Sequence, residues 1–106
     1  MTLDDAQQQV DDWIRNYGGG YFSELTNLGI LAEEVGELAR WVVRKYGDQN
    51  MKPSEKEINL EEAMADEMTD ILWVLICLSN QMNINLTDAL QKNLQKKTNR
   101  DHDRHK

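Results

Sequence analysis

Residues 71–78, ILWVLICL, constrain the fold more than any other stretch of the chain. A helix that is apolar on every face has to be covered on every face. The run is far short of the roughly 20 apolar residues that a membrane span needs. It follows directly on the charged segment DEMTD, so it reads as the buried part of a longer amphipathic helix. A chain of 106 residues is enough for one domain and not for two. We therefore read residues 1–106 as a single domain. One small bundle has difficulty covering all sides of such a helix. A second subunit is expected to cover the remaining face, the alternative being that the other helices of the chain suffice.

Those other helices are legible from periodicity. Residues 3–17 carry Val10, Trp13, Ile14 and Tyr17 at helical spacing, and Gly18, Gly19 and Gly20 stop them. Residues 23–46 carry an apolar stripe of Leu28, Leu31, Val35, Leu38 and Val42, with Gly47 as the stop. Residues 48–58 form a polar loop holding the only proline. Asn59 reads as an N-cap with Glu62 three residues on, opening a third helix that runs to about Met82. A turn over residues 83–86 follows, and Thr87 is the expected cap of a fourth helix. No run alternates as a strand would. The expected fold is all-α, a small bundle of about four helices completed by oligomerisation.

Composition excludes several functions. The lone Cys77 cannot close an intrachain disulfide, which argues for a reducing, cytoplasmic setting. The polar, acidic N-terminus does not suit a signal peptide. The net charge of -7 argues against nucleic acid as a partner, and the absence of a long apolar run against a membrane. Charge is unevenly spread, with six Lys/Arg and only two Asp in residues 92–106. An acidic body suits cations, and a basic tail suits phosphates.

The acids themselves are arranged in two pairs. Glu34 and Glu37 share a face of the second helix, in a stripe with Ile30 and Trp41. Glu67 and Asp70 share a face of the third, in a stripe with Ala63, Val74 and Cys77. No Lys or Arg lies within a turn of Glu67 or Asp70 on their helix. Acids continued by apolar residues and left without cations repel one another unless a cation joins them. A hard divalent ion with oxygen ligands answers this need, Mg²⁺ first and Mn²⁺ as the alternative. Di-iron chemistry would need histidines on the bundle helices, and the only two are His102 and His105. The competing reading is a pair of solvated acidic edges that never meet.

The pattern Glu33-Glu34-x-x-Glu37, a spacer, then Glu67-x-x-Asp70 resembles the EExxE…ExxD signature of MazG-like nucleotide pyrophosphohydrolases. The surrounding LAEEVGELARW, DEMTDILWVLICLSNQMNINL and KNLQKKTNRD extend the resemblance over about residues 25–101. The spacer is longer than in the signature, the excess being the 48–58 loop. The resemblance implies an all-α dimer or dimer of dimers. It also implies Mg²⁺-dependent hydrolysis of a nucleoside triphosphate to the monophosphate and pyrophosphate. Catalytic and metal-ligating roles fall on Glu34, Glu37, Glu67 and Asp70. Glu33 points away from the first two by helix geometry and ranks behind them as a supporting residue. Near the C-terminus, many relatives place a Lys, then an Asn four residues later, against the phosphates; this chain departs from that order, with Asn93 and Lys97 at those positions.

Lys96, Lys97 and Arg100 are candidates to steady the triphosphate, the bland reading being a basic helix end that suits the macrodipole. Trp41, on the acid stripe, and Tyr21 are candidates to stack on the base. Trp13 and Tyr17 are assigned to the core, Trp73 to packing between helices, and Cys77 to a buried apolar role. The expected activity is house-cleaning of the (d)NTP pool. Two alternatives stand beside it: a phosphoribosyl-ATP pyrophosphohydrolase, and a non-enzymatic helical module that binds through the apolar third helix.

Overall fold

The computed structural model describes residues 1–47 and 58–104, the last three by backbone alone. Four helices make up the fold: α1 (Leu3–Asn16), α2 (Glu24–Tyr46), α3 (Leu60–Gln81) and α4 (Leu86–Arg104). Among the described residues there is no strand, so the all-α expectation holds. No helix among them is long and apolar enough to cross a membrane. Apart from Ile58, the polar 48–58 loop lies outside the described residues.

Two compact units form, Met1–Tyr21 with Ile76–Lys106, and Phe22–Leu75. In the first, Thr2 opens α1 with a reciprocal capping box: its hydroxyl accepts from the Asp5 N–H, and its own N–H donates to the Asp5 carboxylate. The buried apolar residues are Val10, Ile76, Cys77 and Leu78. Burial pushes the Cys77 thiol above its ordinary pKa, which fits its inert apolar role. Trp13 and Tyr17 do not join this core, against expectation. Among the described residues Tyr17 is 81% exposed and Trp13 49%, at the point where the chain turns away into glycines. Gly19 and Gly20 take φ of 77° and 104°, a region that side chains disfavour, and so let the chain double back.

Doubling back brings Tyr21 onto α1. Its hydroxyl donates to Asp11 Oδ1 at 2.6 Å and accepts from Asn80 Nδ2 at 3.1 Å. Arg15 Nε donates to both Asp11 oxygens, at 3.1 and 3.0 Å. The Tyr21 hydrogen bond, then Arg15, holds the Asp11 carboxyl below its ordinary value of 3.8 despite some burial. Burial, then Asp11, pushes the Tyr21 phenol up to about 12. The latch therefore stabilises the fold above pH 3.8 and is lost as acid protonates Asp11. At the alkaline end it persists below pH 10 and fails as pH rises through about 12. Tyr21→Phe is expected to cost about 1 kcal/mol at pH 7, read as a lower melting temperature. The difference from wild type should shrink in acid as Asp11 is protonated.

The α3–α4 corner is built on Asn83, whose φ of 57° is left-handed. The Ile84 N–H reaches the Ser79 carbonyl at 2.8 Å and the Asn83 N–H the Asn80 carbonyl at 3.3 Å, a Schellman ending. Asn85, not Thr87, then caps α4, its side-chain oxygen accepting from the Asp88 N–H at 2.9 Å. Thr87 is already inside the helix, and its hydroxyl donates to Asp4 at 3.2 Å. Both residue types cap well; the left-handed turn decides which one sits at the boundary.

In the second unit Ser23 caps α2, and Gly47 ends it with its N–H on the Val43 carbonyl at 2.8 Å. The Asn59 side chain accepts from the Glu62 N–H at 3.2 Å, as expected of the α3 cap. Lys45 on α2 pairs with Glu61 on α3 at 3.1 Å. Met64, Val74 and Asn27 are buried here. The apolar stripe of α2 is not: Leu28, Val35 and Val42 are exposed, as are Leu72 and Leu75 within the ILWVLICL run, at 46% and 44%. Among the described residues, these apolar side chains therefore stay exposed.

Candidate metal centre

The second unit brings together carboxylates from two helices. Glu34 on α2 and Glu67 and Asp70 on α3 each offer an oxygen, and the three oxygens lie within 4.8 Å of one another. The spacing explains the α3 half, since residues three apart point to one side of a helix. The apolar neighbours explain its burial: Glu34 and Glu67 are half-buried rather than solvated.

Electrostatics in the cluster are adverse. The Glu34 carboxyl is held above its ordinary value, first by its hydrogen bond with Glu67, then by burial and the Glu67 charge. Burial raises Asp70, and the charges of Glu34 and Asp66 add to the shift. Glu67 Oε2 is buried and has no hydrogen-bond partner among the described residues. An orphaned buried carboxylate oxygen is costly. A donor set made only of carboxylate oxygens fits a hard divalent cation, so these residues suit the ion inferred from sequence.

The sign of the pH effect follows from the two raised groups. In the cation-free protein the folded state binds protons more tightly than the unfolded state. Stability contributed by these groups is full at low pH and falls as pH rises through the folded values. Glu34→Gln removes one charge and leaves an amide able to donate to Glu67. In EDTA it is expected to raise the melting temperature by a few degrees at pH 7, with the gain vanishing near pH 4. Thermal unfolding followed by circular dichroism reads both.

Other sequence candidates are placed differently. Glu37 lies outside the 4.8 Å cluster; its exposed carboxylate pairs with Arg40 at 3.7 Å. Glu33 is exposed. The Trp41 ring is half-buried and carries the Arg40 guanidinium at 4.9 Å. Tyr21, Asn93, Lys96, Lys97 and Arg100 belong to the first unit. Tyr21 is engaged in the Asp11 latch. Asn93, Lys96, Lys97 and Arg100 are exposed on α4, where Arg100 contacts Asp101 at 3.4 Å. Asp66, exposed one turn before Asp70 on α3, lies outside the cluster and acts on it only through its charge.

Comparison with known proteins places this geometry. Residues 22–105 match the MazG nucleotide pyrophosphohydrolase domain. The uncharacterized protein YpjD of Bacillus subtilis (strain 168) is 41% identical over 103 residues, covering 97% of this chain and 89% of its own length. The uncharacterized protein YvdC of the same strain is 30% identical over 103 residues, covering 94% of this chain and 96% of its own. The crystal structure of a Bacillus-conserved MazG protein, a nucleotide pyrophosphohydrolase, superimposes with a TM-score of 0.74 at 35% identity. That match covers 91% of this chain and 88% of the other. The crystal structure of YpjD superimposes with a TM-score of 0.77 at 38% identity, over 91% of this chain and 94% of that one. With the signature acids on adjoining helices and the match spanning most of its length, this chain belongs to the MazG nucleotide pyrophosphohydrolase family.

Proposed function

We propose that the protein hydrolyses nucleoside triphosphates between the α and β phosphates, releasing the monophosphate and pyrophosphate, and so clears unwanted (d)NTPs from the cytoplasmic pool. The observation that carries this reading is the partnerless, buried Oε2 of Glu67 within a cluster of three carboxylates. Glu34, Glu67 and Asp70 would hold Mg²⁺, with Mn²⁺ as the alternative and Glu37, one turn along α2, as a further ligand. Such an ion supplies the positive charge that phosphate oxygens need as the anhydride breaks.

The chain's own residues do the rest. A carboxylate of the cluster orients water toward phosphorus and accepts its proton. The bond to the α–β bridging oxygen breaks, and pyrophosphate leaves. Asn93, Lys96, Lys97 and Arg100 supply hydrogen bonds and charge for the triphosphate. Trp41 and Tyr21 are the aromatic rings proposed for the base. The uncovered Leu28, Val35, Leu72 and Leu75 fit a homodimer or homotetramer.

The exposed Leu72 and Leu75 also favour a second reading, a helical module that binds a partner without catalysis. An assay of NTPs, dNTPs and phosphoribosyl-ATP with Mg²⁺ or Mn²⁺ separates these. Pyrophosphate and phosphate are measured independently. Equimolar monophosphate and pyrophosphate, lost in EDTA, supports the enzyme. Turnover of phosphoribosyl-ATP alone would move the substrate to histidine synthesis. Phosphate release would contradict the cleavage position, and no turnover at all would favour the module.

A further inference from the structure

We propose that Gln7 is a positioning residue that fixes where α4 begins and which way it projects. Helix α1 lies outside residues 22–105, the part matched to the family. Its side chains nevertheless hold the base of α4. The Gln7 Nε2 donates to Ser79 Oγ at 2.9 Å, to Asn80 Oδ1 at 3.2 Å and to the Ile84 carbonyl at 2.9 Å. Its Oε1 accepts from the Leu86 N–H at 2.9 Å. Asn80 Nδ2 returns to the Gln7 carbonyl at 3.0 Å. One side chain thus joins the end of α3, the left-handed corner and the first residue of α4.

The Leu86 amide is one of the donors that a helix N-terminus leaves unpaired. Gln7 satisfies it from another element. Ser79, at the inner end of the network, is only 4% exposed. Water is poorly placed to replace a hydrogen bond lost there.

Asp4, also on α1, adds to this base, accepting from Asn85 Nδ2 at 3.0 Å and from the Thr87 hydroxyl at 3.2 Å. From residue 88 to residue 101 every position is exposed. The orientation of such a helix is set at its base. Lys96 lies ten residues beyond Leu86, about 15 Å along the axis. A tilt of about 10° at the corner would move it by roughly 2–3 Å on that rise. Displacements of about 1 Å are enough to degrade substrate positioning. On the proposed function, on which this consequence rests, a loosened α4 weakens the grip on the triphosphate and leaves the carboxylate cluster intact.

The test uses the full chain with Gln7→Met, which keeps the side chain's size and removes its hydrogen bonds. Gln7→Glu retains an acceptor for the Leu86 N–H but turns an oxygen toward the Ser79, Asn80 and Ile84 oxygens, and so tests the donor half of the network separately. Amide exchange by NMR, Mn²⁺ titration and steady-state kinetics are measured on each. In Gln7→Met, Leu86 exchange is expected to speed at least about tenfold and KM to rise about tenfold. The kcat and Mn²⁺ affinity should stay within about twofold of wild type. Gln7→Glu, which loses the three donated bonds, should also raise KM, with Leu86 exchange slower than in Gln7→Met. Unchanged Leu86 exchange in Gln7→Met would overturn the proposal. So would an unchanged KM, or a parallel loss of kcat and Mn²⁺ affinity. Should the wild-type chain turn over no triphosphate, the proposed activity falls, and Leu86 exchange alone decides the role of Gln7.

Discussion

Glu67→Gln is expected to reduce pyrophosphate release at least about a thousandfold, the scale set by losing a charge-stabilising group from a reaction centre, with the helical signal unchanged. The amide keeps the shape of the side chain and removes the charge of the oxygen that lies buried without a partner. Asp70→Asn should match it, because Asp70 offers another of the three clustered oxygens. Glu37→Gln should cost much less, about tenfold, because that carboxylate already pairs with Arg40 outside the cluster. Steady-state pyrophosphate release, with circular dichroism as the folding control, ranks the three. Equal losses at Glu37 and Glu67 would mean that the working site extends along α2.

If the chain forms the homodimer or homotetramer proposed above, Leu72→Glu should convert it to single chains. Leu72 is nearly half exposed on an otherwise apolar stretch of α3, with Leu75 beside it and Leu28 and Val35 exposed on α2. An unpaired carboxylate buried in a subunit interface costs about 3–5 kcal/mol, enough to dissociate most small assemblies at micromolar concentration. Sedimentation velocity reads the mass directly. A wild type that sediments as a single chain would contradict the proposed assembly, and a variant that keeps the wild-type oligomeric mass would place the interface elsewhere.

Much of this architecture is legible in the chain because its signals are local. Gly47 and Asn59 stop and start helices through backbone needs that neighbouring residues reveal. The three-residue spacing of Glu67 and Asp70 fixes their common side, and their apolar neighbours mark it as more than a solvated edge. Glu34 and Glu37 share the same spacing, yet only Glu34 joins the cluster. Arg40, three residues on from Glu37, pairs with that carboxylate.

What stayed hidden depends on distant partners. Gln7 reads locally as one more polar residue of an acidic helix, and its bonds reach residues 79–86. Tyr17 sits at core spacing with Trp13, yet among the described residues it is left exposed. Asn85 and Thr87 are both good caps, and the left-handed Asn83 chooses between them.

Glu34, Glu67 and Asp70 are proposed to hold a divalent cation jointly. Anomalous diffraction from crystals soaked in Mn²⁺ tests it most directly. A peak bridging oxygens of all three side chains, absent from crystals of Glu67→Gln, is the predicted result. Three solvated carboxylates with no anomalous density between them, in crystals whose wild-type protein is active, would contradict it.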